Sequence, residues 1–333
     1  MEKEYIILNE ERNVTLTAYT QPVGGKFDYI TKRPAVLILP GGGYQYCSDR
    51  EADPVAFSYL QAGYQAFILR YSIGEHNTWP NPLNDVEQAM EMIRTREDWN
   101  VYEDKVAVVG FSAGGHLAAA AATMAKKRPN AAILGYAVAT NDVKGCCETA
   151  PDTIPYVDKN TCPCFLFATR TDDVVPVHNS IAFMDALDKA NISFESHIYG
   201  HGPHGFSVAN SGIHNPKKPI CNRVHHWVED SIEWLKDIFG DFGADGKMTE
   251  PACKRYFTGD YDEYLSVNCT IGHLIENEEA RKLVEAIFAG MDMNSEKAKA
   301  VYGVQIKGIM GFMKMPQQVV TELDEKLRQI PNC

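Results

Sequence analysis

Seven residues constrain this chain most. Gly110-Phe-Ser-Ala-Gly-Gly-His116 lies between a short β-branched run, Val106 to Val109, and an alanine- and leucine-rich run, Leu117 to Met124. The first run has the length of a buried strand and the second has strong helix propensity. A serine flanked by glycines at a strand-to-helix turn is the context that a nucleophile elbow requires. Gly110 and Gly114 let strand and helix pack closely around the sharp turn. Ser112 is then held strained, its hydroxyl above the sheet at the helix N-terminus. A phosphate loop spaces its glycines differently: Gly-x-Gly-x-x-Gly is not met, and no Gly-Lys-Ser/Thr follows.

Around this turn the chain alternates. Residues 5–19 predict two short antiparallel strands. Further strands are expected at Ala35–Leu39, Ala66–Tyr71, Val106–Gly110, Ala132–Val138, Phe165–Thr169 and Ser193–Tyr199. Helices are expected at Asp53–Ala62, Asn84–Arg96, Ala113–Lys126, Asn179–Ala190 and Val224–Ile238. Such alternation implies an α/β fold, a mostly parallel sheet covered by helices on both faces.

The pattern breaks after Phe239, where the glycine and aspartate cluster Gly240 to Gly246 reads as a boundary. Beyond it the chain is helical. Ala280, Leu283, Val284, Ile287 and Phe288 share one face, as do Val319, Val320, Leu323 and Leu327, and Pro316 fits the first turn of the last helix. We therefore expect a larger domain over residues 1–240 and a small all-helical accessory domain over 250–333. The apolar, glycine-spaced run Tyr302 to Phe312 is too hydrophobic to stay exposed. The tail is expected to pack on the larger domain near its pocket, or on a second copy of the chain as a homo-oligomer.

Composition narrows the partners. A formal charge of −12 argues against nucleic acid, because phosphate binding needs clustered Lys and Arg. The N-terminal stretch has acids on both sides of a very short apolar run, the pattern of neither a signal peptide nor a membrane span. Nine cysteines are present without framework spacing, and Cys146-Cys147 and Cys162-Pro-Cys164 do not match the common zinc spacings. Reduced thiols in a cytoplasmic protein without a bound metal are the expectation.

A nucleophilic Ser112 needs a base, an orienting acid and an oxyanion hole. The strand Phe165–Thr169 is followed by Asp172 and Asp173, and the strand Ser193–Tyr199 by His201 and His204. Both sites fall on the rim where the elbow opens, the rim on which ligands of open α/β sheets bind.

Six stretches now form a set: Leu39-Pro-Gly-Gly-Gly-Tyr44, Arg50-Glu-Ala52, Leu69-Arg-Tyr71, the elbow through His116, Asp172-Asp-Val-Val-Pro-Val177 and Gly202-Pro-His-Gly-Phe206. In their order and separation, residues 34–210 resemble the α/β-hydrolase fold, and in detail the acetyl xylan esterase branch of small bacterial carbohydrate esterases. The resemblance implies the order serine, acid, histidine along the chain. It assigns the acid to Asp172, leaving Asp173 to cap the turn or the following helix, and the base to His204, leaving His201 to line the pocket. It implies an oxyanion hole from the Ala113 N–H and from Gly42 or Gly43, with Pro40 before the triple glycine as in that branch. No cofactor is implied.

Tyr44, Tyr46 and Trp79 lie in loops expected to reach the rim. With His201, Tyr44 and Trp79 are the substrate-binding candidates, Trp79 by stacking on a sugar. The segment from Ala139 to Pro163 is shorter than the cover usual in the family, which implies a more open pocket. The tail is similar, through Thr270-Ile-Gly-His-Leu-Ile-Glu-Asn277, to small helical domains appended to bacterial glycosidases. The expected function is a serine esterase removing acetyl groups from xylan-type or related oligosaccharides. A prolyl oligopeptidase-like peptidase, a general short-chain carboxylesterase and a catalytically silent binding module are the other readings.

Overall fold

The computed structural model describes residues 1–288 and 292–332. The chain divides into two units, Met1–Arg255 and Tyr256–Cys333. The first is built on eight strands: β1 (Glu2–Asn9), β2 (Val14–Thr20), β3 (Arg33–Leu39), β4 (Gln65–Arg70), β5 (Val101–Phe111), β6 (Ala131–Gly135), β7 (Cys164–Thr169) and β8 (Phe194–Tyr199). They form one sheet in the order β1-β2-β4-β3-β5-β6-β7-β8. β1 and β2 are the antiparallel pair expected at the N-terminus, and β2 joins β4 antiparallel. From β4 to β8 every neighbour is parallel.

Five helices cover this sheet: α1 (Asp53–Gln61), α2 (Asn81–Thr95), α3 (Ala113–Met124), α4 (His178–Lys189) and α5 (Trp227–Phe239). Because side chains alternate along a strand, the inner parallel strands β3 to β7 are apolar on both faces, whereas the edge strand β8 carries Glu195, Ser196 and His197 and is only partly buried. Val36, Ile38, Val109, Ile133, Phe165 and Phe167 turn to one side and pack under α1 and α5. There the rings of Phe167 and Trp227 stack 4.1 Å apart, a pair worth about 0.5–1.5 kcal/mol beyond its area. Leu37, Phe67, Val108 and Leu134 have the opposite parity and are equally buried. α2 and α3 pack against β5 and against each other.

The alanines of α3 follow from its depth. Ala113 through Thr123 are all buried, and the helix lies directly on strand backbone. A Cβ built on Gly110 would stand 2.2 Å from the Gly114 carbonyl oxygen, and one on Gly114 2.1 Å from that of Leu39. No side chain fits at either place.

Among the boundaries that differ from the sequence expectation, β5 begins at Val101 rather than Val106. The sixth strand stops at Gly135 rather than Val138, because Tyr136 leaves the ladder with φ 34° and directs its hydroxyl to Glu51. The cluster Gly240–Gly246 is held against the first unit: the Gly246 carbonyl accepts the Thr31 and Tyr102 hydroxyls at 2.8 and 3.3 Å. The division falls later, after Arg255.

The second unit is helical, with α6 (Ile271–Glu276), α7 (Glu278–Ile287), α8 (Glu296–Lys299), α9 (Ile306–Phe312) and α10 (Gln317–Leu327). Thr270, Asn277 and Ser295 cap three of these through side-chain oxygens that accept backbone N–H groups. Ala280, Val284, Phe288, Val320, Leu323 and Leu327 meet in a core of the unit's own. Of the apolar run before α10, Ile306 and Met310 enter that core, whereas Phe312 is 87% exposed. Among the described residues no helix is long and apolar enough to cross a membrane.

Candidate active site

β5 delivers Ser112 at the middle of the sheet. The residue has φ 54° and ψ −118° and is followed at once by α3. A non-glycine residue in such a conformation costs on the order of 1–3 kcal/mol and persists only where its surroundings over-determine it. Here they do. The Ser112 N–H donates to the Gly135 carbonyl at 3.0 Å, and the Ser112 carbonyl accepts the His116 N–H at 2.9 Å.

The turn aims Oγ at His204. Ser112 Oγ lies 2.8 Å from His204 Nε2, and His204 Nδ1 lies 2.8 Å from Asp172 Oδ2. The other carboxylate oxygen of Asp172 accepts the N–H groups of Val174 and Val175 at 2.9 and 2.8 Å. The Asp172 side chain is fully buried and that of His204 is 16% exposed. A carboxylate only accepts, so Nδ1 carries the imidazole proton and Nε2 is left free to take one from Ser112.

Chain order left two aspartates and two histidines at this rim, from which the family resemblance took Asp172 and His204, and loop geometry shows what separates each pair. Asp173 is exposed and lines the cavity without touching His204. Gly202 is pinned to β7, its carbonyl accepting the Thr169 hydroxyl at 2.8 Å and its N–H donating to the Thr171 hydroxyl at 3.0 Å. The chain turns there, so His204 enters the site while His201 stays exposed and away from the cavity lining. The expectation that His201 lines the pocket is corrected.

Ser112, His204, Gly42, Gly43 and Ala113 line one cavity of about 660 Å³. Gly42 is a position that only glycine fits. Its φ is 138°, and a Cβ there would lie 2.0 Å from the Tyr46 carbonyl oxygen, because the loop after β3 folds back on itself. The short segment 139–163 supplies Asp142, Gly145 and Cys146 to the cavity wall. It is anchored through Asn179 of α4, whose Oδ1 accepts the Ala139 and Thr140 N–H groups.

Two aromatic expectations are also corrected. Tyr44 is fully buried beneath the glycine loop, with its hydroxyl 2.7 Å from His116 Nδ1. Trp79 is half-buried with its ring edge-on to His116, centroids 5.8 Å apart, and lies outside the cavity lining. The aromatic ring on the wall is that of Tyr46, which is 61% exposed. Sequence reasoning missed Glu51, which also lines the cavity. An acid in a short turn before a helix carries no periodic signal of burial. Among the described residues no group of three or more His, Cys, Asp or Glu side chains is placed to hold a metal ion.

His116 is itself buried, with a partner at each ring nitrogen. Its Nε2 lies 2.8 Å from the Pro151 carbonyl, which must accept, so Nδ1 accepts from the Tyr44 hydroxyl and the ring is neutral. Burial pushes its pKa from 6.5 down to about 4. The unfolded imidazole therefore binds a proton in a range where the folded one does not, and stability falls as pH drops from 6.5 toward 4. The shift corresponds to about 3 kcal/mol across that window. Urea unfolding at several pH values should show this slope, and His116→Asn should flatten it. An equal slope in the variant assigns the acid sensitivity elsewhere.

The chain is also similar in sequence and fold to known proteins. A family model described as BD-FAE matches residues 28–137, and one described as the prolyl oligopeptidase family matches residues 148–241. The chain is 32% identical over 211 residues to endo-1,4-beta-xylanase B of Butyrivibrio fibrisolvens, covering 54% of this chain and 33% of that protein. It is 28% identical over 301 residues to an acetylxylan esterase of Xylanibacter ruminicola, covering 83% of this chain and 54% of that protein. It thus spans a third of the first relative's length and about half of the second's. Among solved structures, MGS-M1, an alpha/beta hydrolase enzyme from a Medee basin deep-sea metagenome library, aligns with a TM-score of 0.67 at 43% identity. That alignment covers 72% of this chain and 98% of the other.

Proposed function

Because this chain belongs to the α/β-hydrolase superfamily, we propose that it is a serine esterase that removes acetyl groups from xylan-type or related oligosaccharides. The observation that carries the reading is the relay Asp172–His204–Ser112, with both links at 2.8 Å and its serine opening on the cavity. In this reading His204 Nε2 takes the Ser112 proton as Oγ attacks the ester carbonyl. Asp172 holds the tautomer and stabilises the imidazolium. The carbonyl oxygen becomes an oxyanion beside the Ala113 N–H and the Gly42–Gly43 backbone, where each donor is worth about 2.7–4 kcal/mol. His204 returns the proton to the leaving alkoxide, which departs as the free sugar hydroxyl. Water then attacks the acetyl-serine, passes its proton through His204 to Oγ, and acetate is released.

Two features support a sugar acetate as substrate. A relative matching 83% of the chain bears the name acetylxylan esterase, and the exposed Tyr46 ring on the cavity wall offers a sugar an amphipathic face. The prolyl oligopeptidase match over residues 148–241 favours a second reading, peptide hydrolysis by the same relay. One panel separates them: acetylated xylo-oligosaccharides, p-nitrophenyl esters of rising acyl length, and blocked peptides. We expect acetate release from the oligosaccharides and a preference for acetyl over butyryl esters, with a fluorophosphonate probe labelling Ser112. Preference for butyrate or longer acyl groups points to a general carboxylesterase, and faster amide than ester turnover points to a peptidase. A folded protein that the probe leaves unlabelled is a binding module.

A further inference from the structure

Behind the relay lies a carboxyl group that it does not use. Glu51 occupies a single turn just before α1 and is only 3% exposed. Its Oε2 accepts the Gly41 N–H at 2.8 Å and its Oε1 accepts the Tyr136 hydroxyl at 2.6 Å. The Tyr136 ring lies edge-on to the His204 imidazole with centroids 5.0 Å apart. Its oxygen accepts the N–H of Ser207, three residues past His204, at 3.1 Å. The Ser207 hydroxyl closes the loop by donating to the Arg50 carbonyl. A Cβ on Gly41 would stand 2.8 Å from Glu51 Oε2 and 3.0 Å from Ser112 Cβ, so carboxylate and nucleophile flank the same glycine.

We propose that Glu51 is a positioning residue for the hydrolysis: its carboxylate ties the Gly41–Gly43 loop to the histidine loop through Tyr136 and Ser207, and sets a second negative charge behind His204. The assignment rests on the reading of Ser112 as nucleophile. Both carboxylate oxygens receive donors, an arrangement that suits the ionised form. Burial raises the carboxyl pKa above its ordinary value, and the Tyr136 hydroxyl, the Gly41 N–H and nearby His204 offset only part of that rise. An anion behind His204 favours the imidazolium that forms as Ser112 gives up its proton. Holding Gly41 also sets the approach of Gly42 and Gly43 to the oxyanion, where small displacements lower rate rather than binding.

Glu51→Gln tests both roles, since it keeps the volume, removes the charge and turns an amide NH₂ toward one of the two donors. On p-nitrophenyl acetate kcat should fall by about ten- to a hundredfold with KM within about twofold. The acid limb of the kcat/KM profile should move to lower pH, because the imidazolium loses an anion. Glu51→Asp keeps the charge but withdraws it from Gly41, so kcat should fall while the limb stays near its wild-type position. It carries the test if the Gln variant does not fold. A folded Gln variant with wild-type kcat overturns the assignment. So does a kcat loss with the acid limb unmoved and only a matching loss of folded protein, which leaves Glu51 a structural residue. An Asp variant with wild-type kcat overturns it as well. Ser112→Ala assayed alongside distinguishes the two readings. Turnover surviving in that variant removes the nucleophile assignment, whereas its loss beside an unaffected Gln variant removes only the role of Glu51.

Discussion

Ser112→Ala is expected to lower kcat for acetyl esters by about 10⁵- to 10⁶-fold, the loss that follows removal of a serine nucleophile acting as one unit with its base. Oγ is the oxygen that stands 2.8 Å from His204 Nε2 at the cavity floor. The residual rate should come from the backbone donors and from substrate binding. Stability should change little, because alanine pays the same cost at φ 54° as serine does and loses a single side-chain hydrogen bond. Ser112→Gly should be the informative companion, equally inactive but more stable by about 1 kcal/mol, since glycine tolerates positive φ. Thermal unfolding beside steady-state kinetics checks both. A glycine variant no more stable than the alanine variant would show that the elbow stores no strain.

Asp172→Asn should cost about 10⁴ in kcat, as expected when an acid that holds the tautomer of a catalytic histidine is replaced by its amide. The backbone dictates the outcome. Oδ1 is held by the Val174 and Val175 N–H groups, so the amide oxygen must take that side. The NH₂ then faces His204 Nδ1, which has to accept, and the proton moves to Nε2, where it blocks proton transfer from Ser112. Asp173→Asn should change kcat by less than about threefold, because this neighbour is exposed and makes no contact with the imidazole. Parallel kinetics on the pair decide between them. An Asp173 effect as large as that of Asp172 would return the acid to the open choice that the sequence posed.

How much of this is legible in the sequence turns on range along the chain. The elbow is local. Valines, three glycines, a serine and an alanine run fall within residues 106–124, and the steric limit at Gly110 is set by Gly114, although the limit at Gly114 comes from the Leu39 carbonyl of β3. The alternation of strands and helices is likewise local, because a parallel strand buried on both faces is a continuous apolar run. The chain order of serine, aspartates and histidines after their strands therefore placed the chemistry on one rim.

What the chain by itself determined was thus the layered α/β architecture, the elbow at Ser112 and the loops from which acid and base had to come. Chain order alone did not choose within those loops; the family resemblance named Asp172 and His204, and the tertiary structure holds the physical reason. Asp172 was separated from Asp173 by two backbone N–H groups that orient its carboxylate, and His204 from His201 by the anchoring of Gly202 to β7. Tyr44 was drawn under the glycine loop by His116, 72 residues away, and Glu51 was paired with Tyr136 across 85 residues. Such pairings form when distant loops close over a common site. Their energy comes from groups that share no period, so no spacing in the sequence announces them.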